Sequence, residues 1–301
     1  ARLALTALGC LDEALQVTKL GHKVSQWPVS VKYGCMIAKA EELGVVDEVL
    51  TIAAIFEKEG ICQRGDALRN LSDNRRSDAL AQLAAYQAAS MMRSKDTLIA
   101  SGIHAKAFFE ARDTRKHLAE AMSGLVTKLA STGRREDILK AVCAGMVTHV
   151  YRKGENGTYS NGNGGAARVI TKDSVVFQED RRNSPYRIDK NWKQRLPEWV
   201  VGLPIDIEVK VLPKEGETNP TGQTRVLHLL TMVTKIDPAV LVEVAPWLAT
   251  ATYRNAHFDK QHNLVVAEEV ITFHGQQVSA KLVQAPDGDE RTDALVKWFR
   301  T

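Results

Sequence analysis

Cysteine is scarce in this 301-residue sequence, and its four cysteines stand far apart. They form neither a CxxC pair nor a Cys/His cluster, so the sequence predicts neither a zinc site nor a disulfide framework. We expect reduced, mostly buried thiols, as in a cytoplasmic protein. The four residues are Cys10, Cys35, Cys62 and Cys143.

Long apolar runs are also missing. No stretch approaches the about 18 consecutive apolar residues that a membrane-spanning helix needs. The N-terminus turns acidic at Asp12 and Glu13 instead of showing the anatomy of a signal peptide. The sequence begins at Ala1 in the middle of a helical pattern, and we therefore expect a fragment of a longer protein.

The composition is that of a folded protein. Hydrophobic residues make up 44% and charged residues 25% of the chain, which is enough for two or three domains with their own cores. The net charge of +4 is mildly basic. This charge is compatible with nucleic-acid binding but does not require it.

The pattern of apolar residues changes once, within residues 138–152. Its first half, ILKAVCAG, has helical spacing, whereas MVTHVYR alternates as a strand does, and Gly145 lies at the change. The residues before this point are predicted to be helical and almost all those after it to be β. The sequence therefore predicts an α+β chain with its two classes of structure in separate halves.

The helical half contains several capping signals. Ser30 and Asp47 are candidate N-caps, and Gly44 is expected to end the helix that begins after Ser30. A strong helix is predicted over residues 77–92, and another over 102–118. A short strand-and-turn element is predicted over residues 17–24.

In the β half, strands are predicted over 146–153, 166–177, 199–212 and 225–235. Gly154 to Gly157 form a hairpin turn signal. Asp237 is expected to cap a helix whose first turn contains Pro238. A second hairpin, over residues 253–273, and a terminal helix over 291–301 complete the prediction.

Catalytic motifs are not evident. No G-x-x-x-x-G-K-[ST] phosphate loop occurs, and Asp12-Glu13 follows only a short helical stretch, so it is not a magnesium-binding acidic box. The histidines are scattered, and no Ser/His/Asp or paired-carboxylate arrangement follows from the spacing. We expect no metal and no cofactor in this chain and expect it to be non-catalytic by itself.

Several segments resemble the C-terminal region of DEAH/RHA-type RNA helicases of bacterial type. The resemblance covers roughly residues 3–275, in the family's order. The segment Val233-Thr234-Lys235-Ile236-Asp237-Pro238 and the later Glu243, Ala245 and Pro246 resemble one family signature. The segment that joins the family's helical domain to its OB-fold is matched by Leu139, Lys140, Ala141, Val142, Cys143, Ala144, Gly145, Val150 and Arg152.

The resemblance implies a multidomain α+β fold. The implied order is a winged-helix remnant at 1–28 and a helicase-associated helical (ratchet) domain at 29–144. An OB-type β-barrel at 145–250 and a C-terminal extension at 251–301, with a β-hairpin and a helix, would follow. Relative to the family's compact barrel, residues 178–195 look like an insertion.

The resemblance also implies a function. The parent would be an ATP-dependent RNA helicase, with ATP and magnesium bound by RecA-like motor domains of the same polypeptide, outside this sequence. This region would bind and guide single-stranded RNA, or DNA, through the motor. The alternative is a platform that docks a helicase activator or another protein partner.

Cations and rings in these segments are the candidate contacts to the strand. The competing interpretation of the helix at 102–118 is a solvated basic face. The competing interpretation of residues 178–195 is an ordinary solvated loop. Basic groups with interleaved aromatic rings are the composition that single-strand binding uses. The candidate residues are Lys106, Arg112, Arg115, Arg152, Lys172, Arg181, Arg182 and Trp192.

Overall fold

The computed structural model describes residues 1–62, 65–124, 131–177, 195–210 and 224–300. These residues form two compact units, Ala1–Ile236 and Asp237–Thr301. Within the described ranges, no helix combines the length and the apolar character required to cross a membrane.

Nine α-helices of the first unit are described before the first strand of its sheet. Their order confirms the predicted separation of helical and β structure. They are α1 (Arg2–Ala7), α2 (Lys19–Ser25), α3 (Val31–Leu43), α4 (Val46–Phe56), α5 (Gly65–Leu71), α6 (Asp78–Ser90), α7 (Lys95–Ala100), α8 (Ala105–Ala121) and α9 (Arg135–Gly145).

Local signals set several of these ends. Ser77 caps α6 by accepting the N–H of Leu80 on its hydroxyl. Gly44 ends α3 in the left-handed region at φ 71°, which a glycine adopts without a Cβ clash. Both features agree with the sequence pattern.

Two local predictions are wrong. The element predicted as a strand at 17–24 is helix α2, because the Thr18 hydroxyl accepts the Gly21 N–H and caps a helix there. Asp47 does not cap α4, which begins one residue before it, at Val46. Asp47 lies instead in the first helical turn, where an acidic residue faces the positive end of the helix dipole.

Helix α4 is the centre of the helical part. Ten of its 11 residues are buried, in agreement with its apolar character on most faces. Helix α9 packs against α3 at Gly145. A Cβ at that position would lie 2.2 Å from the Lys32 carbonyl oxygen and 2.3 Å from Met36 Cγ, so the two helices approach too closely for alanine.

Five strands follow α9 and form one sheet. They are β1 (Val150–Lys153), β2 (Tyr159–Asn161), β3 (Val169–Ile170), β4 (Trp199–Lys210) and β5 (Thr224–Lys235). Their order is β2-β1-β4-β5-β3, and β3 runs parallel to β5 while the other pairs are antiparallel. An additional reciprocal pair of backbone hydrogen bonds, 2.7 and 2.9 Å long, joins Tyr159 to Arg168, the residue before β3.

The strand predicted over 166–177 is correct only at β3. Beyond β3 the chain leaves the sheet, because its backbone N–H groups form hydrogen bonds to nearby carbonyls and to side chains. Ser174 N–H donates to the Thr171 carbonyl, and Val175 N–H donates to the Asp78 carboxylate. The predicted hairpin turn after β1 is present, with Gly154 N–H bonded to the Thr158 carbonyl.

The second unit begins with helix α10 (Pro238–Val244), which Asp237 caps by accepting the Ala239 N–H at 2.9 Å. An antiparallel sheet of β6 (Ala249–Asp259), β7 (Leu264–Phe273) and β8 (Gln276–Gln284) follows, and then helix α11 (Asp289–Phe299). Its small core contains Val265, Ala267, Ala285 and Ala294. The predicted hairpin is β6–β7, while strand β8 had not been predicted.

Candidate nucleic-acid interface

The cations predicted on α8 already have acidic neighbours. Lys106 lies 3.8 Å from Glu110, one helical turn away, and Arg112 lies 3.4 Å from Asp113. The nearby Lys116 forms the same kind of pair with Glu120, also at 3.8 Å. The two lysine–glutamate pairs are exposed i,i+4 helix pairs, which contribute only about 0.3–0.5 kcal/mol each. The α8 surface is therefore a mixed, largely compensated set of charges.

Arg115 has a different position, half-buried between α8 and α4. Its Nε donates to the Thr51 hydroxyl at 2.8 Å, and its Nη2 donates to the Asp47 carboxylate. These bonds join the two helices, so the guanidinium acts first as a packing group. The Asp47 that does not cap α4 thus has a partner on α8.

Arg152 lies on β1, next to Trp199 of β4 and to Glu198, the residue before β4. Its Nη2 is 3.0 Å from the Glu198 carboxylate, and its guanidinium carbon is 5.4 Å from the centre of the Trp199 ring. A guanidinium within about 6 Å of an indole ring has a favourable cation–π interaction. The arginine is accordingly held over the ring at the sheet surface.

Lys172 is exposed, and its backbone carbonyl is fixed by Arg69. The Arg69 Nη2 donates to the carbonyl oxygens of Lys172, Ser174 and Phe177 at 2.7, 2.7 and 3.1 Å. This arginine joins the end of α5 to the segment after β3. The remaining predicted residues, Arg181, Arg182 and Trp192, lie outside the described residues.

A buried carboxylate holds the helical part against the sheet. Asp78, the first residue of α6, accepts the Val175 N–H on Oδ1 and the Val233 N–H on Oδ2, both at 2.7 Å. Burial raises the pKa of Asp78 to about 6, against the opposing effect of these N–H groups, the Ser174 hydroxyl and the Arg69 charge. The first turn of α6 is thereby hydrogen-bonded to two separate segments of the chain, the segment after β3 and strand β5.

The same joint brings together cations that sequence reasoning did not single out. The Lys235 N–H donates to the Arg76 carbonyl at 2.7 Å, next to a 2.8 Å hydrogen bond between the hydroxyls of Ser77 and Thr234. Arg75, Arg76 and Lys235 are exposed. The consecutive arginines in a polar loop were the available signal, but their proximity to Lys235 depends on the fold.

A cavity of about 270 Å³ lies beside Asp78 and Ser174 at the junction of helices and sheet. It is lined by polar and apolar side chains including Gln82, Ile205 and Thr231, and by the carboxylates Glu59 and Asp173. Asp78 also lines it, and three acidic side chains disfavour a phosphate there. In the described part of the chain, no three His, Cys, Asp or Glu side chains are grouped so that they could hold a metal ion.

Comparison with known proteins gives a sequence match and a fold match. No family model matches the chain. The pre-mRNA-splicing factor ATP-dependent RNA helicase prp22 of Schizosaccharomyces pombe is 31% identical over 158 residues, which is 50% of this chain and 14% of that protein. The chain is related to the C-terminal region of DEAH/RHA-type helicases. The resemblance found in the sequence is confirmed.

The fold of this helicase-related chain agrees with that relationship. The crystal structure of the E. coli DExH-box NTPase HrpB matches 97% of the chain with a TM-score of 0.50 and 14% identity. At that identity the match concerns the fold alone. The chain corresponds to 27% of the HrpB chain and to about one seventh of prp22, so it spans only part of either protein.

Proposed function

We propose that this chain is the accessory C-terminal region of an ATP-dependent DEAH-type RNA helicase and that it binds and guides single-stranded RNA. The observation that carries the proposal is the sequence match to prp22, a protein named as an ATP-dependent RNA helicase. The fold match to an NTPase of the DExH-box type supports the same assignment. Single-stranded DNA is a second candidate substrate, because it has the same phosphodiester groups.

The proposed mechanism is electrostatic guidance. Exposed cations hold the phosphates, and Arg152, which lies over the buried Trp199 ring, is one of the candidate cations. Binding of this kind does not depend on base sequence. Its affinity falls steeply with salt because counterions are released when phosphates are neutralised.

We further propose that the five-stranded sheet of the first unit is an OB-type barrel. The parallel pair β3–β5 and the antiparallel order around it support this. The Tyr159–Arg168 bridge supports closure, because it joins β2, at one end of the strand order, to the residue before β3, at the other. The division into domains at 1–28, 29–144, 145–250 and 251–301 also stays a proposal.

The motor would be supplied by the rest of the polypeptide. We propose RecA-like domains, with ATP and magnesium, as partners of this region, and a protein activator as a further candidate partner. A location in the cytoplasm also stays a proposal.

Fluorescence anisotropy of a labelled oligo-uridine, titrated with the chain at low and at moderate salt, tests the proposed function. We expect saturable binding at low salt and a linear fall of log affinity with log salt concentration. An unlabelled oligo-uridine as competitor controls for binding to the dye. Absence of binding at low salt, with capture of the chain by a helicase activator instead, would contradict RNA guidance and favour protein docking.

A further inference from the structure

The cations of the first unit differ in whether a carboxylate lies within ion-pair distance. On α8, Lys106 and Lys116 each have a glutamate one helical turn away at 3.8 Å. The side chains of Arg76 and Lys235 form no ion pair with any described residue. Two exposed cations without a carboxylate partner among the described residues are therefore neighbours at the joint between helices and sheet.

The positions of these two residues are fixed by the backbone. The Lys235 N–H donates to the Arg76 carbonyl, and on the adjacent residues the Ser77 and Thr234 hydroxyls are 2.8 Å apart. One residue further, the buried Asp78 carboxylate accepts the Val233 N–H. Three consecutive contacts therefore anchor the two chain segments, while both cationic side chains extend into solvent.

Arg75 adds a third positive charge at the same place. Among the described residues, its guanidinium donates only to carbonyl oxygens, those of Ser72 and Asn74 through Nη1 and that of Arg69 through Nη2. Carbonyl oxygens hold the guanidinium in position but do not cancel its charge. The described residues provide no carboxylate partner for it.

We infer that Arg75, Arg76 and Lys235, here called the joint patch, are a contact surface for consecutive phosphates of a single-stranded nucleic acid. Phosphodiester groups fit because counterions are released from the nucleic acid when exposed, unpaired cations neutralise its phosphates. Cations that are already paired with carboxylates gain little from such a contact. The inference rests on the proposed function and identifies where the strand touches this region. It replaces the α8 surface with the joint patch as the main phosphate contact.

The salt dependence of binding provides the test. The double variant Arg76→Ala/Lys235→Ala removes two charges without removing the backbone bonds of the joint. For labelled oligo-uridine we expect the slope of log affinity against log salt to become shallower by about 1.4, since each phosphate contact to a single strand contributes about 0.7. The charge-conserving variant Arg76→Lys/Lys235→Arg should keep the wild-type slope.

The matched control is Lys106→Ala/Lys116→Ala, which removes the same charge from the compensated α8 surface. We expect its slope to stay at the wild-type value. Urea unfolding of both double variants checks that neither has lost the fold. Equal slopes for the wild type and the joint-patch variant, or an equal loss in the two double variants, would overturn the inference while leaving RNA binding intact.

Two further outcomes separate the inference from the proposed function. If the wild-type chain does not bind the oligonucleotide at low salt, both are wrong. If polyglutamate at the same charge concentration displaces the oligonucleotide as well as unlabelled oligo-uridine does, the joint patch binds acidic polymers in general, and its assignment to nucleic acid is overturned.

Discussion

Asp78 shows how much a single residue can decide at the joint between helices and sheet. Its two oxygens accept N–H groups from residues 97 and 155 positions later in the chain. Each oxygen therefore satisfies a buried donor that would otherwise be unpaired. Loss of either acceptor should cost about 1–3 kcal/mol, the usual effect of an unsatisfied buried donor.

The pH dependence of stability follows from the same residue. Burial raises the pKa of Asp78 from 3.8 to about 6, so between these values the folded state holds more protons than the unfolded state. The free energy of unfolding should therefore fall as pH rises from about 4 to 6, by roughly 1–3 kcal/mol from this group. Urea unfolding of the wild type and of Asp78→Asn across this range measures the effect.

The comparison with Asp78→Asn isolates this group from the other carboxylates. The variant cannot ionise at position 78 and also lacks one acceptor. We expect it to be less stable throughout, with a stability gap to the wild type that narrows as pH rises to 6. A gap independent of pH would show that Asp78 has an ordinary pKa in the folded protein.

Helix ends and helix contacts are decided at the scale of the element. Gly145 is the last residue of α9, and α3 lies so close to it that a side chain at this position would clash with α3. Gly145→Ala should destabilise the chain by about 1–3 kcal/mol, the range for overpacking. Gly154→Ala is the matched control, because a Cβ there would meet Thr158 Oγ1 only at 3.6 Å. Similar denaturation midpoints for the two variants would contradict the close approach.

The cap of α10 can be tested in the second unit. Asp237 accepts the Ala239 N–H, and Pro238 occupies a first-turn position that needs no donor. Asp237→Ala should lower stability by about 0.5–2 kcal/mol, whereas Asp237→Asn keeps an acceptor and should lose little. Thermal unfolding followed by circular dichroism compares the two, and equal losses would exclude the cap as the cause.

At the scale of the whole molecule, the two units have separate hydrophobic cores. The cluster around Ile55 and Val233 lies in the first unit, and that around Val265 lies in the second. A chain shortened to residues 1–236 should therefore unfold cooperatively in urea with native-like near-ultraviolet circular dichroism. A broad, non-cooperative transition would show that the first unit depends on the second.

The sequence predicted much of the fold but little of the interface. Helix ends such as Ser77 and Gly44, the cap at Asp237 and the change from helix to strand near Gly145 follow from short-range chemistry. The α2 helix was missed because the Thr18 cap resembles a strand-and-turn pattern when only local alternation is considered. Strand β8 was not predicted, although Val278, Ala280 and Leu282 alternate with polar residues as a strand requires.

Contacts between distant residues were accessible only from the tertiary structure. The sequence by itself determined the class of the chain, its helical and β halves and its relationship to DEAH/RHA-type helicases, because motifs and periodicity are local. Compensation between distant residues was decided by folding, which pairs Arg115 with Asp47, 68 positions away, and leaves Arg76 beside Lys235. Electrostatic availability depends on neighbours in space, and the order of residues along the chain does not specify them.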